Sequence, residues 1–483
     1  MLEVPPVPDL TAEGLASTAL RIFRESGFTD EQLEGLGWDG EYVKKNVKDK
    51  LMDQLAVEGM NKEELVGWVT QVWEPAHQLE LVTKDTKGDA VFQWLNDHID
   101  VINDITELLG IGKGLEQSME AAEEVGEKFF KLKPMSGTRF SAYFEGSIEN
   151  FERRMETNVG ALRKRTESSD KKVKEKAASL LNKICSKKFL LVNLGLLDVY
   201  RLLGSFSKQL QCVEQFPWDI PELQQSLVQQ LEHMEGLKLS QGVGGGVDQS
   251  VWTSLGAKLE DILEEKYMTA QTSVFGPGLR RGRTAQDMSP HQSLLVTVQN
   301  RLVSLVKNLK IKLVERITAN PTPDIIIEMG KCLNLEDILG EEESLDVKEK
   351  RRQSLKRVME RAKYDEEDKG IILLEYEEFK TKIKDVINLE GESAEVVARF
   401  EHILFKTHSC HPGCVKVFPS NAKGRGPGAR VKVCPEEGSV LLPRQANLMK
   451  VLHLFYKEPS LYSNIKGFLH LYLRYRLIRC DSG

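Results

Sequence analysis

No cysteine precedes Cys185 in a chain of 483 residues, and the chain holds seven cysteines in all. That gap excludes a zinc finger at the front of the chain, since such a module needs paired Cys and His ligands. Seven thiols, an odd number in so long a chain, point to a reducing, intracellular compartment. A net charge of −7 excludes a wholly basic nucleic-acid binder, although a local basic face remains compatible with it. The amino terminus, Met1-Leu2-Glu3-Val4-Pro5-Pro6, is acidic and proline-rich and lacks both the basic start and the apolar core of a secretory signal. The longest apolar region, Phe189 to Leu210, contains Asn193, Asp198 and Arg201, so it reads as a buried helix rather than a membrane span. The glycines of Gly110-Ile111-Gly112-Lys113-Gly114 do not form a phosphate-binding loop. The four-residue spacing and the Ser/Thr after Lys are missing, and a helix precedes them, so they read as a helix stop. No small-molecule site is evident.

The remaining composition is that of a soluble globular protein, with 41% hydrophobic and 29% charged residues, and the length suits two or three domains. The most informative stretch begins at Trp68-Val69-Thr70-Gln71-Val72-Trp73, which alternates like a strand. Pro75 bars a continuing helix across it, and a new helix is expected to begin there with Leu79, Leu81 and Val82 on its buried side. His77 falls in the first turn of that helix. It reads either as a satisfied structural histidine or as a ligand or catalyst, because polar groups gather at strand-to-helix turns in open α/β folds.

Upstream lies Trp38-Asp39-Gly40-Glu41-Tyr42, and downstream Gly137-Thr138-Arg139-Phe140. The order Asp-Gly, then His77-Gln78-Leu79-Glu80-Leu81, then Thr138-Arg139-aromatic resembles the core of hAT-type transposases, best over roughly residues 35 to 210. The resemblance implies an RNase H-like catalytic domain interrupted by a long helical insertion, with Asp39 as a catalytic carboxylate and Thr138-Arg139 opening the insertion. Three departures accompany it. The family's usual Cys is Glu74 here, no strand with an embedded Asp occurs before residue 35, and beyond the helical region the chain ends at Arg479-Cys480-Asp481-Ser482-Gly483 without an evident catalytic Glu. Two-metal chemistry needs two or three convergent carboxylates, which Asp39 alone does not supply. The resemblance therefore implies a vestigial site and a chain shortened at both ends. No cofactor is expected, and Mg²⁺ or Mn²⁺ would enter only with an active site. The resemblance also implies nuclear residence.

Helical periodicity covers most of the rest. Leu15, Ala19, Ile22 and Phe23 form one stripe after the capping residues Asp9 to Glu13. Val43, Val47, Leu51, Met52 and Leu55 form another across from Lys44, Lys45, Lys48 and Lys50, which read as a solvated face. Residues 89–133 read as two helices, and Glu222 to Leu237 as a further one. Ser293 to Ile317 carries the stripe Leu295, Val298, Leu302, Leu305, Val306, Leu309 and Leu313, which suits core packing first and dimer pairing second. Val347 to Ala362 reads as helical and basic, and Tyr376 to Ile387 as helical.

Between Arg153 and Lys188 the sequence holds 12 Lys/Arg against 4 Asp/Glu. Arg153, Arg154, Arg163, Lys164, Arg165, Lys171, Lys172 and Lys174 make this the candidate DNA face, the bland alternative being a solvated helix. His408, Cys410, His411 and Cys414 are the candidate metal ligands. Zinc there competes with a loop of free thiols, because Cys434 stands without a second close partner.

The fold expected from these readings is mainly α, with a partial RNase H-like α/β remnant and a large all-helical insertion. The expected parts are a tail and helix at 1–34, the remnant at 35–137, the insertion at 138–395, and a Cys/His loop with C-terminal helices at 396–483. The expected function is that of a catalytically inactive, transposase-derived scaffold for nucleic acid or protein. An active metal-dependent transposase or nuclease, and a zinc-organised or purely structural helical dimer, are the alternatives.

Overall fold

A computed structural model of the chain describes residues 9–27, 29–30, 35–38, 46–57, 70–73, 75–132, 134–135, 140–210, 217–239, 247–264, 290–333, 345–362 and 364–387. In chain order these form helix α1 (Ala12–Glu25), strand β1 (Gly35–Trp38), α2 (Val47–Val57), β2 (Thr70–Trp73), α3 (Pro75–Gly88), α4 (Gln93–Leu109) and α5 (Gly112–Glu124). There follow α6 (Phe140–Arg153), α7 (Met155–Thr166), α8 (Lys171–Ile184), α9 (Lys187–Leu210), α10 (Ile220–Glu235) and α11 (Thr253–Leu263). The last four are α12 (Pro290–Ala319), α13 (Asp324–Cys332), α14 (Leu345–Arg361) and α15 (Glu366–Ile387). The described chain is mainly helical; β1 and β2 pair in a two-stranded sheet.

Local chemistry accounts for many of the boundaries. Thr11 caps α1 by accepting from the Gly14 amide, while Asp9 holds Thr11 through a 2.9 Å bond from its amide and a 2.8 Å bond from its hydroxyl. β2 falls within the alternating run that ends at Trp73, and Pro75 opens α3 at the one helical position where a missing amide costs nothing. Leu79 and Val82 are buried as their spacing requires, whereas Leu81 is half-buried. α5 ends at Glu124, earlier than the stripe from Leu115 to Phe130 suggests. Gly126 turns the chain with φ +70°, and residues 127–132 run without regular structure.

Two compact units emerge. One comprises Trp73–Gln215 with Ile220–Pro321 and is built around α9. Helices α3, α6, α10, α11 and α12 pack against α9, which is buried nearly all round. Its length and apolarity would suffice to cross a membrane, but 83% of its most apolar window is buried within the protein. A Cβ at Gly195 would overlap the Leu302 side chain, so this glycine allows α12 to approach α9 closely. The apolar stripe of α12, from Leu295 to Leu313, is buried in this core. At the turn from α4 to α5, Gly112 has φ +52°, and a Cβ at Gly114 would overlap the Leu108 carbonyl. The glycine-rich run is thus the hinge of a tight helical hairpin.

The hydrophobic core of this unit runs without a break from Leu79 to Leu313. Helices α3–α5 bury their apolar faces against the helices that follow.

The other unit comprises the described parts of Met1–Val72, Phe216–Asp219 and Thr322–Gly483. Here α1 and α2 enclose a small core of Leu15, Ala16, Leu20, Val47, Leu51, Met52 and Leu55. α13 packs on α14 and α14 on α15, burying Ile326, Met329, Leu355, Val358, Ile372 and Phe379. The Tyr376 hydroxyl donates to the Cys332 carbonyl, which ties α15 to the end of α13.

Candidate functional site

The basic stretch after Glu152 spans the end of α6, all of α7 and α8, and the start of α9, and its cations have different fates. Arg154 is buried at 4% exposure. Its guanidinium lies 4.7 Å from the centre of the Phe129 ring, and burial pulls its pKa below the usual arginine value. Lys164 is held by Glu124 at 2.7 Å and Glu120 at 3.1 Å, and hydrogen bonds to these two carboxylates push its pKa up. Arg163 and Arg165 are half-buried, and burial lowers the Arg163 pKa. Arg153 is exposed but bonds Glu149 at 2.8 Å. Lys176 bridges back to Asp104 at 2.8 Å and Glu107 at 3.5 Å.

What remains facing water is the first turn of α8 and, further along, Lys183 and Lys188. Lys171, Lys172 and Lys174 are all exposed, and only Lys171 has an ion-pair partner among the described residues, Glu175 at 3.9 Å. Asp170 caps this helix by accepting from the Lys172 and Val173 amides. The eight residues proposed as one basic face thus reduce to a short cluster on one turn.

A second polar constellation lies inside the α9 bundle. His98, on α4, stacks on Phe189 with ring centres 4.2 Å apart. The Asn193 Nδ2 group donates to Glu152 Oε2 at 3.0 Å, which leaves Asn193 Oδ1 to accept from His98 Nε2 at 3.2 Å. Glu152 Oε1 in turn meets Lys258 Nζ at 3.0 Å. Burial pushes the His98 pKa down to about 4, so the ring is neutral at physiological pH. Five residues along α9 from Asn193, Asp198 accepts from the Ser254 and Leu255 amides and from the Thr253 hydroxyl, at 2.8, 2.9 and 3.1 Å. It supplies the cap that α11 lacks, since Trp252 at the N-cap position offers no side-chain bond. Burial raises the Asp198 pKa against these hydrogen bonds. Arg201 completes the seam by donating to Ser254 and Glu149.

The donors of His98, Asn193, Lys258, Arg201 and the α11 start named above end on acceptors within the bundle, so the seam's chemistry is that of a structural tie. The buried Trp252 Nε1 beside it has no hydrogen-bond partner among the described residues. His98 carries a sequence signal of its own. It shares the apolar face of α4 with Leu95, Ile102 and Ile105, the position of a buried histidine with an internal partner.

His77 lies in the first turn of α3, half-buried, with Nδ1 3.9 Å from Glu80 Oε2. Asp39, Thr138 and Arg139 lie outside the described residues, as do His408, Cys410, His411 and Cys414. Among the described residues no group of three or more His, Cys, Asp or Glu side chains is arranged to hold a metal ion. No protein-family model, curated protein or solved structure matches the chain.

Proposed function

We propose that this chain is a catalytically inactive, transposase-derived helical scaffold that meets the phosphate backbone of nucleic acid through the first turn of α8. The observation that carries the reading is the exposure of Lys171, Lys172 and Lys174 in a first helical turn that holds no acidic residue, with Asp170 engaged as its N-cap and Glu175 paired, among the described residues, with Lys171 alone. Cations at that end oppose the helix dipole, at a cost of roughly 0.3–1 kcal/mol each, so helix stability does not explain them. Nearby cations such as Lys164 and Lys176 are neutralised by carboxylates, which makes the remaining cluster distinct. The transposase ancestry, with an RNase H-like remnant about Asp39 and His77, rests on the order of the Asp39, His77 and Thr138-Arg139 motifs, and nuclear residence follows from it.

Duplex binding measured against salt concentration tests the proposal. Wild-type affinity should fall steeply with salt, and the K171E/K172E/K174E variant should lower the log–log slope by about 2–3. Absence of salt-sensitive binding would overturn the reading. So would Mg²⁺- or Mn²⁺-dependent strand cleavage that is lost in Asp39→Ala, because the chain would then be an enzyme.

A further inference from the structure

Helix α14 carries seven Lys/Arg against three Asp/Glu in 17 residues, and its cations also divide. Arg351 is buried, Arg357 meets Glu328 at 3.1 Å, and Lys350 meets Asp346 at 2.6 Å. Lys348, Arg352 and Lys356 are exposed, and none of them forms an ion pair among the described residues. Their four-residue spacing sets them on one stripe about 12 Å long. Within it, Arg352 has a cation four residues away on either side, and the acidic neighbours Glu349 and Glu360 form no ion pair with the stripe among the described residues. Like charges at this spacing cost a helix a few tenths of a kcal/mol per pair, whereas the Asp346–Lys350 pair at the same spacing on this helix is favourable.

From this geometry we infer that α14 presents a second docking surface, for the phosphate backbone of double-stranded nucleic acid. The inference rests on the nucleic-acid reading above and extends it to the other compact unit. Charge complementarity selects the occupant: each strand of a duplex presents about one phosphate charge per 3.4 Å, so a stripe of about 12 Å runs beside roughly three or four of one strand. The stripe includes no aromatic residue, so it offers no platform for the unstacked bases of a single strand. Arg352, at its centre, has a planar fork that engages a phosphate through two bonds.

The test compares three full-length proteins by fluorescence anisotropy on a 30-base-pair duplex over a salt series. They are the wild type, K348E/R352E/K356E and K171E/K172E/K174E, with circular dichroism as a check on helix content. The α14 variant should bind at least tenfold more weakly than wild type near 0.1 M salt, with a slope lower by about 2–3. The milder K348Q/R352Q/K356Q variant should show an intermediate loss and guards against misfolding of the charge reversal. Wild-type binding that survives unchanged in both α14 variants overturns the α14 surface and leaves the α8 reading standing. Loss in the α14 variants with full binding in the α8 variant supports α14 and removes α8. Competition by polyglutamate as effective as competition by duplex would make the partner an acidic polypeptide and overturn the inference.

Discussion

Helices α8 and α9 are neighbours in sequence and opposite in how they use polar side chains. On α9, Asn193, Asp198 and Arg201 lie on an apolar background, and each is bonded to residues of other helices. On α8, Lys171, Lys172 and Lys174 lie on a polar background and face water. A polar group inside a core must find a partner or cost the fold several kcal/mol, whereas a surface lysine is under no such constraint. The difference teaches where to look for each role: the seam on α9 holds the bundle together, and the turn on α8 is available to something outside it.

The strongest challenge to this contrast is Asp198→Ala, which leaves the half-buried Ser254 amide and the buried Leu255 amide without an acceptor at the start of α11. Chemical denaturation should show a loss of about 3–4 kcal/mol. A loss below about 1 kcal/mol would mean that water replaces the carboxylate. Acidification is next in size. His98 is held neutral in the fold with a pKa of about 4, below its ordinary value of 6.5. The folded state therefore gains stability from it above about pH 6.5 and loses that gain as pH falls towards 4, by about 3 kcal/mol at most. The stability difference between wild type and His98→Gln should shrink over that window, and a difference independent of pH would contradict the assignment.

Gly195→Ala follows, at about 1–3 kcal/mol, because the added methyl overlaps Leu302; combining it with Leu302→Ala should recover part of the loss. Lys164→Ala removes a lysine shared by two exposed carboxylates and should cost less than about 1 kcal/mol. Lys172→Ala should leave the melting temperature unchanged and show its effect only in nucleic-acid binding.

The two helices also differed in how far the sequence revealed them. The apolar run from Phe189 to Leu210 announces a buried central helix, because no one-sided stripe can account for leucine and valine on every face. Pro75 and the alternation before it announce the β2–α3 junction. The basic stretch from Arg153 to Lys188 is equally visible as composition, yet composition does not tell which cations are free. The partners of Lys164 and Lys176 lie 40 and more residues upstream, and Arg154 meets an aromatic ring on an irregular segment. Likewise, Asn193 and Asp198 are legible as interruptions of an apolar run, but their partners on α4, α6 and α11 depend on packing that local periodicity does not encode.

The capping of α11 by Asp198 has a consequence for the order in which the protein assembles. An 11-residue helix is too short to persist alone, and this one begins without a cap of its own. Its start is completed by a side chain more than 50 residues earlier in the chain. α11 should therefore form only after α9 has docked, as a late event in folding. In native-state hydrogen exchange the Leu255 amide should become accessible together with the disruption of α9, and a peptide spanning residues 247–264 should be unstructured in water.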